Sequence, residues 1–280
     1  MKQFSQTQIQ DYMLCPRRYF LSHIQKITWP EPLSPSFQKI EESNRQGKAF
    51  HLFLNRLIQG VSYKELVSQV YETELNLWLK NFKKYNPLPE NAKIFSEVEL
   101  SAIYKEILWI GYIDAAAFLP GKIQIYDWKT SRNIGDPNVL VKSPQTRLYC
   151  FLSMLNHENY KNYCGSITPD QIEMIYWYAR FPSNPIHLPY SPELFEKDLI
   201  YFKDMAEKLC HENRTDYPQT IQRNNCHVCR FQTYCFKETD FEQDGLDEDF
   251  LDSERFDFSE QLDEDFFSGS EPQQKNSEIF

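Results

Sequence analysis

An aspartate and a lysine two residues apart, Asp127 and Lys129, are the side chains whose types and spacing point most directly to chemistry. They lie in an alternating stretch that predicts a β-strand. Because successive strand side chains point to opposite faces, the carboxylate and the ammonium share one face. If Asp114, in the preceding alternating stretch, lies on the neighbouring strand, two carboxylates converge beside the lysine, which suits a hard divalent cation and an anionic substrate. The pattern indicates a candidate phosphodiester-cleaving site, although an isolated Asp-x-Lys is usually a solvated strand face.

Three successive segments with a period near two predict the sheet that would bring these residues together. The segments are residues 94–102, 106–118 and 122–129, joined by short turns at Tyr104-Lys105 and Pro120-Gly121. Such a meander places Asp114 and Asp127 on adjacent antiparallel strands. Glu97 and Glu99 share a face of the first strand, so either could approach the site as an accessory acid. A solvated surface acid is the common alternative for at least one of them.

Segments with a period near 3.6 predict helices around this sheet. The predicted helices cover residues 40–59, 62–84, 145–155 and 194–210, and residues 171–179 predict a further strand. His51 lies beside the apolar stripe of the first helix; it could complete a metal shell if that helix crosses the sheet edge, or be an ordinary packed histidine. Gln145 and Tyr149 lie four residues apart on one helix face. They could hydrogen-bond a metal-bound water or a nucleotide, or simply form the polar edge of the helix.

Three cysteines within ten residues, Cys226, Cys229 and Cys235, predict a metal site. Their C-x2-C-x5-C spacing supplies three soft ligands, and both zinc and an iron–sulfur cluster accept four thiolates. The fourth ligand stays open among His227, His211, Cys210, Cys164 and Cys15. Cys15 directly precedes Pro16, where a helix boundary could aim its thiol at a partner or leave it as a small buried side chain. The odd total of seven cysteines argues against a secreted disulfide framework.

The net charge of −10 is divided unevenly along the chain. Residues 238–280 hold 16 acidic and 2 basic side chains, a net of −14, which leaves residues 1–237 with 24 acidic and 28 basic side chains, a net of +4. The division predicts a folded domain over residues 1–237 and an acidic, disordered tail over residues 238–280. The tail could solubilise the protein, recruit a partner, or, because its acids alternate with phenylalanines, imitate single-stranded DNA and inhibit the domain.

The length of 280 residues is enough to bury a sizeable core. No apolar run approaches the roughly 20 residues that span a bilayer, and the first residues lack an apolar signal core. These features predict a cytoplasmic protein with no membrane partner.

In its motifs and their order the sequence resembles the RecB-type branch of the PD-(D/E)XK nuclease superfamily, in the form that carries a four-cysteine iron–sulfur cluster. That form includes CRISPR-associated iron–sulfur exonucleases and the nuclease domains of bacterial double-strand-break-processing helicases. The resemblance covers roughly residues 5–236. The similar motifs are His51, Gly111-x-x-Asp114, Asp127-Trp128-Lys129, Gln145-x-x-x-Tyr149, and Cys15 as the N-terminal partner of Cys226, Cys229 and Cys235.

The resemblance implies a restriction-endonuclease-like core, with a mixed sheet, an antiparallel meander, flanking helices and an iron–sulfur staple between the N- and C-terminal segments. It implies that Mg2+ or Mn2+ is held by His51, Asp114, Asp127 and the main-chain carbonyl of Trp128. Lys129 would orient or deprotonate the attacking water, and Gln145 and Tyr149 would support the site. The four cysteines would hold a 4Fe-4S cluster, with zinc as the alternative occupant.

The activity implied by this resemblance is that of a metal-dependent DNA nuclease, an exonuclease acting on single strands or duplex ends. It would serve DNA repair, recombination or CRISPR-related processing, beside a helicase or a CRISPR adaptation protein. The alternative is a catalytically silent module that grips DNA or supports a helicase–nuclease complex.

Overall fold

A six-stranded mixed sheet lies at the centre of the fold, and helices pack on both of its faces. The structure is a computed structural model that describes residues 2–28, 35–210, 217–222, 224–227 and 229–236. The predicted acidic tail, together with His211 and the side chain of His227, lies outside the described residues. The α/β class and the mixed sheet with flanking helices are confirmed, and this architecture is consistent with a restriction-endonuclease-like core.

The sheet is built around its third strand. The strands are β1 (Lys2–Ser5), β2 (Lys93–Tyr104), β3 (Ile107–Leu119), β4 (Lys122–Lys129), β5 (Ile172–Tyr178) and β6 (Ile186–Pro189). β2 runs antiparallel along one edge of β3, while β1 (parallel) and β4 (antiparallel) share the other edge. β5 pairs parallel to β4, and β6 antiparallel to β5. The predicted meander of three strands is therefore confirmed.

Two strands, β1 and β6, were not predicted. Each has only four residues, which is too short for alternation to be distinctive. β1 pairs with residues 107–110 of β3, about a hundred positions later in the chain. Only the folded sheet provides that partner.

The helices surround the sheet in two groups. They are α1 (Gln6–Leu14), α2 (Pro16–Tyr19), α3 (Pro35–Ile58), α4 (Tyr63–Val67), α5 (Thr73–Lys84), α6 (Pro137–Leu140), α7 (Pro144–Leu155), α8 (Lys161–Cys164), α9 (Pro192–Cys210), α10 (Asn224–His227) and α11 (Gln232–Cys235). A π-helix covers Phe20–Ile24, and 3-10 helices cover His157–Tyr160 and Pro169–Gln171. Within the described residues, no helix is long and apolar enough to cross a membrane.

The core has two parts, one on each face of the sheet. On one face α7 and α9 contribute Phe151 and Phe202, whose stacked rings have centroids 4.6 Å apart. On the other face, Phe50 of α3 stacks on Trp177 of β5 at 6.2 Å, and Phe82 of α5 packs nearby. Fully burying one such ring contributes about 1.5–3 kcal/mol, so these rings hold α3 and α7 firmly against the strands.

The prediction of one helix over residues 62–84 was wrong, because α4 ends at Val67 and α5 begins at Thr73. The hydroxyl of Ser68 donates to the carbonyl of Glu65 at 2.7 Å and closes the first helix. Val70 is buried between the two helices, and its carbonyl accepts a hydrogen bond from Asn76 Nδ2 at 3.4 Å. Side-chain capping and the burial of Val70 therefore outweigh the apolar periodicity.

Candidate active site

Asp114 and Asp127 lie where β3 and β4 separate. The antiparallel ladder between these strands ends at the pair Ala115–Tyr126, one residue before both aspartates. Beyond that pair, the main-chain N–H of Trp128 donates to Asp114 Oδ2 at 2.7 Å. The Asp114 carboxylate thus accepts a main-chain hydrogen bond of β4 just beyond the end of the ladder. We call this opening, with the side chains that face it, the β3–β4 fork.

His51 reaches the fork from α3. Its Nδ1 lies 2.8 Å from Asp114 Oδ1, so α3 brings His51 to the carboxylate-bearing part of the sheet. Burial lowers the pKa of the imidazole, but the negative charge of Asp114 and the hydrogen bond to it outweigh burial and raise the pKa to about 9. Gly47, one turn earlier, allows α3 to approach Thr130 closely, since a Cβ at this position would lie 3.1 Å from Thr130 Oγ1.

Asp127 and Lys129 lie side by side, as the alternation predicted. Lys129 Nζ is 2.9 Å from Asp127 Oδ2. Only 5% of Asp127 is exposed, and its Oδ2 has no hydrogen-bond partner among the described residues, so the contact with Lys129 is an ion pair without hydrogen-bond geometry. Burial raises the pKa of Asp127 to about 6, with Lys129 opposing the shift and Asp114 adding to it.

Gln145 joins this ion pair from α7. Its Nε2 donates to Asp127 Oδ1 at 2.7 Å, and its Oε1 accepts from Lys129 Nζ at 3.2 Å. One amide therefore orients both members of the Asp127–Lys129 pair. Ser143 begins α7 by accepting the N–H of Thr146 at 3.2 Å, and Pro144 is its first residue, so the start of this helix is well defined.

Tyr149 lies one turn after Gln145, and its hydroxyl accepts a hydrogen bond from Gln145 Nε2 at 3.4 Å. Its ring packs directly on Gly111, where an added Cβ would lie 3.0 Å from the ring. Steric contact with Tyr149 thus explains why a glycine stands three residues before Asp114, because any larger residue would push α7 away from β3.

A buried ion pair holds α7 from its other side. Arg147 Nε lies 2.5 Å from Asp198 Oδ1 of α9, and Tyr190 donates its hydroxyl hydrogen to Asp198 Oδ2 at 2.8 Å. Arg147 and Asp198 are both buried, and the guanidinium lies over the ring of Tyr201 at 3.7 Å. The helix that carries Gln145 and Tyr149 is therefore fixed by a charged contact as well as by apolar packing.

The two glutamates of β2 differ in position. The charge of Glu97 interacts with Asp114 and His51, and the pKa of its carboxyl is raised by burial and by Asp114. Glu99 lies opposite Tyr112, and its charge raises the pKa of that tyrosine. Glu97 approaches the fork, whereas Glu99 faces Tyr112.

Tyr176 of β5 also contacts the fork and was not predicted. Its hydroxyl donates to Gln145 Oε1 at 3.4 Å, and Lys129 Nζ lies 5.3 Å from its ring centroid. Burial raises the pKa of this phenol above its ordinary value. Nothing in the local sequence distinguishes Tyr176 from other buried aromatic residues, because only the parallel pairing of β4 and β5 brings it to the site.

The four predicted cluster cysteines line one pocket, formed where the N-terminal segment meets residues 217–236. Cys15, Cys226, Cys229 and Cys235 line it together with Leu14, Arg18, Gln219, Thr220, Asn225, Phe231, Gln232 and Phe236. Cys15 lies between α1 and α2, as its position before Pro16 suggested, and its Sγ accepts the N–H of Thr220 at 3.4 Å. We call this the cysteine pocket.

The other candidates for a fourth ligand are not brought to this pocket in the described part of the chain. Cys164 is buried in α8, where its thiol donates to the carbonyl of Tyr160 at 3.2 Å. Cys210 ends α9 and does not line the pocket. Of the candidates with described side chains, Cys15 alone joins the trio.

The donor atoms fit metal ions, although their side chains contact protein groups. Among the described residues, no set of three or more His, Cys, Asp or Glu side chains is gathered closely enough to hold a metal ion. In the fork, His51 and Trp128 N–H engage Asp114, while Lys129 and Gln145 engage Asp127. The buried Asp127 Oδ2 without a hydrogen bond and the neighbouring carboxylate nevertheless supply the oxygen ligands that hard divalent cations prefer. Four thiols around one pocket suit zinc or an iron–sulfur cluster equally.

Similarity to known proteins is limited at the level of whole chains. No curated protein matches this chain significantly. A candidate exonuclease from Eubacterium rectale has a similar structure, with 11% sequence identity, a TM-score of 0.44, and coverage of 83% of this chain and 88% of that one. The structure of SSO0001 is similar at 14% identity and a TM-score of 0.34, covering 84% of this chain and 86% of that one.

A family model gives the clearer relationship. The model of the PD-(D/E)XK nuclease superfamily matches residues 3–236. That range includes the fork, α7 and the cysteine pocket. Because the match covers most of its length, the chain belongs to the PD-(D/E)XK nuclease superfamily, whose nucleases hydrolyse phosphodiester bonds.

Proposed function

We propose that this chain is a divalent-metal-dependent deoxyribonuclease of the RecB-type branch, acting as an exonuclease on single strands or duplex ends. Its cofactor is Mg2+ or Mn2+, and its setting is DNA repair, recombination or CRISPR-related processing, beside a helicase or an adaptation protein. The observation that carries the proposal is the fork itself. Asp127, Lys129 and Gln145 form one hydrogen-bonded and ion-paired group next to the His51–Asp114 pair.

The side chains divide the work of hydrolysis between them. His51, Asp114, Asp127 and the main-chain carbonyl of Trp128 would hold the metal ion. When bound, the ion supplies Lewis-acid polarisation of the phosphate and lowers the pKa of a coordinated water. Two carboxylates near one lysine leave the fork negatively charged when His51 is neutral, which favours a divalent cation.

Lys129 would either orient the attacking water as an ammonium or deprotonate it as a neutral amine, and its positive charge would balance the charge that develops as the phosphate gains a fifth oxygen ligand. Gln145 fixes the position of the Lys129 ammonium relative to the Asp127 carboxylate, since its amide is hydrogen-bonded to both. Tyr149 and Tyr176 support Gln145 from either side.

A cleavage assay on end-labelled single- and double-stranded DNA with Mg2+ or Mn2+ tests this proposal. We expect Lys129→Ala to lower the cleavage rate by roughly 100- to 10,000-fold, the usual contribution of a group that handles the proton. Lys122→Ala is the matched control, because Lys122 lies at the other end of β4 and pairs with Glu173 at 2.7 Å. We expect its rate to equal that of the unmodified protein.

Undiminished cleavage by both Lys129→Ala and Asp114→Asn would defeat the assignment of the fork. DNA binding without cleavage by the unmodified chain would favour the alternative, a catalytically silent DNA-binding or scaffold module. The products report the mode of action, since an exonuclease releases short products from labelled ends whereas an endonuclease also cuts closed circular DNA.

For the cysteine pocket we propose a 4Fe-4S cluster held by Cys15, Cys226, Cys229 and Cys235, with a structural role. The shared pocket supports this proposal, as does the Thr220 N–H directed at Cys15 Sγ. Such N–H to sulfur hydrogen bonds and nearby cations set the reduction potential of an iron–sulfur cluster. Arg17 and Arg18 supply the cations, since their charges lower the pKa values of Cys235 and Cys229 against the raising effect of burial.

Iron and sulfide analysis of protein purified without oxygen tests this assignment. We expect about four irons and four sulfides per chain and a brown colour. Cys15→Ser should lose the iron, whereas Cys164→Ser should keep it, because Cys164 does not line the pocket. Stoichiometric zinc without iron would replace the cluster by a zinc site.

A further inference from the structure

β2 and β3, which pair with each other, change their alternation of side chains at the same position near Asp114. On β2, Phe95 and Val98 pack into the same core although they are three positions apart, and on β3 the same is true of Ile113 and Ala116. Side chains on one face of a regular strand are an even number of positions apart. Each strand must therefore reverse its facing once between those residues.

The reversal lies at Glu97 and Asp114. The β2–β3 ladder runs from Lys93–Phe118 to Tyr104–Ile107, and the position that would pair Glu97 with Asp114 is the one missing from it. Glu97 has φ +49, in the left-handed region that non-glycine residues rarely adopt within a strand. The register places Glu97 opposite Asp114, and the carboxyl of Glu97 interacts with the charges of Asp114 and His51.

Two carboxylates directly opposite each other on neighbouring strands repel, and His51, which contacts Asp114 and interacts with Glu97, offsets part of that repulsion. A second, independent observation lies across the fork. Asp127 is 5% exposed, and its Oδ2 has no hydrogen-bond partner among the described residues, although it forms the ion pair with Lys129. Glu97, Asp114 and Asp127 thus place three carboxylates around the fork, and carboxylate oxygens are the ligands that hard divalent cations prefer.

We propose that Glu97 is a further carboxylate of the metal site formed by His51, Asp114 and Asp127, and that it raises the affinity of the fork for a divalent cation. The inference rests on the proposed function and extends it by one ligand. It also separates Glu97 from Glu99, which lies two residues away on β2 and faces Tyr112.

Calorimetric titration of the full chain with Mn2+ tests the inference without measuring cleavage. We expect Glu97→Gln to weaken Mn2+ binding about tenfold or more, as loss of a metal-supporting carboxylate commonly does. Glu99→Gln is the matched control, since it removes the same charge from the same strand. We expect its affinity to equal that of the unmodified chain at about 0.15 M salt, where distant surface charges are screened.

Glu97→Gly provides a second variant that keeps the fold. Glycine adopts φ +49 without steric cost, so this chain should unfold at the same temperature or higher while showing the same loss of Mn2+ affinity. Unchanged Mn2+ binding in both Glu97 variants would overturn the inference, as would an equal loss in Glu99→Gln or undetectable Mn2+ binding by the unmodified chain.

The outcome is independent of the Lys129 test. If Lys129→Ala abolishes cleavage while Glu97→Gln binds Mn2+ normally, Glu97 is not a ligand and the nuclease assignment stands. If Glu97→Gln weakens Mn2+ binding but no DNA is cleaved, the metal site stands and the nuclease assignment fails.

Discussion

The β3–β4 fork and the cysteine pocket both bring distant residues together, but they do so in different ways. The fork takes its side chains from long elements: two strands of 13 and 8 residues, α3 of 24 residues and α7 of 12 residues. The pocket takes Cys226 and Cys235 from α10 and α11, which have four residues each, and Cys15 and Cys229 from residues between helices.

The two regions therefore differ in which interactions fix the positions of their side chains. In the fork, strand pairing and aromatic cores position the backbone, and hydrogen bonds among the side chains complete the arrangement. Helices of four residues are too short to be stable alone. The pocket therefore depends on contacts between segments, such as the Arg17 N–H donating to the Pro218 carbonyl at 3.1 Å and the stacking of Phe20 on Tyr217 at 4.6 Å. We infer that a bound group stabilises the pocket, whereas the fork is stable without one.

The largest expected effect on stability separates these two regions. If the pocket holds the proposed cluster, Cys15→Ser should lower the free energy of unfolding by about 3–5 kcal/mol, because it would open a cross-link that closes a loop of some 200 residues. Lys129→Ala should leave that free energy nearly unchanged while abolishing cleavage. Urea unfolding of both variants, with Cys164→Ser as the control for a thiol outside the pocket, measures the contrast. Equal stability of Cys15→Ser and the unmodified chain would mean that the pocket needs no bound group.

A smaller effect is expected from the ion pair that holds α7. Asp198→Asn leaves Arg147 buried without its charged partner, which should cost about 3 kcal/mol. Glu158→Gln is the control, since it weakens the exposed pair of Glu158 with Lys161 just after the same helix and should leave the free energy of unfolding nearly unchanged. Urea unfolding gives both values. If the two variants are alike, apolar packing alone positions Gln145.

The smallest expected effect on stability is at Gly47. In Gly47→Ala, the gain in helix propensity of about 1 kcal/mol opposes the contact at 3.1 Å with the rotatable hydroxyl of Thr130, so the free energy of unfolding should change by less than about 1 kcal/mol. Cleavage should nevertheless fall, by less than the roughly 100-fold that a 1 Å misplacement can cause, because His51 shifts relative to Asp114. Gln46→Ala on the same helix is the control for propensity. A rate equal to that of Gln46→Ala would show that α3 tolerates the extra methyl group.

The sequence alone determined the features that arise from local pattern. Alternation predicted β2, β3 and β4, and short turns between them predicted that Asp114 and Asp127 lie on adjacent antiparallel strands. Helical spacing predicted α7 with Gln145 and Tyr149 on one face. These features depend on neighbours within a few residues, so a single sequence contains the necessary information.

Only the tertiary structure decided which residues meet across long separations. It paired β1 with β3, brought Tyr176 beneath Lys129, joined Arg147 to Asp198 and distinguished Glu97 from Glu99. It also divided the predicted helix over residues 62–84 into α4 and α5. In each case the deciding contact or burial arises only when the chain is packed, and the residue types and local periodicity are the same with or without it.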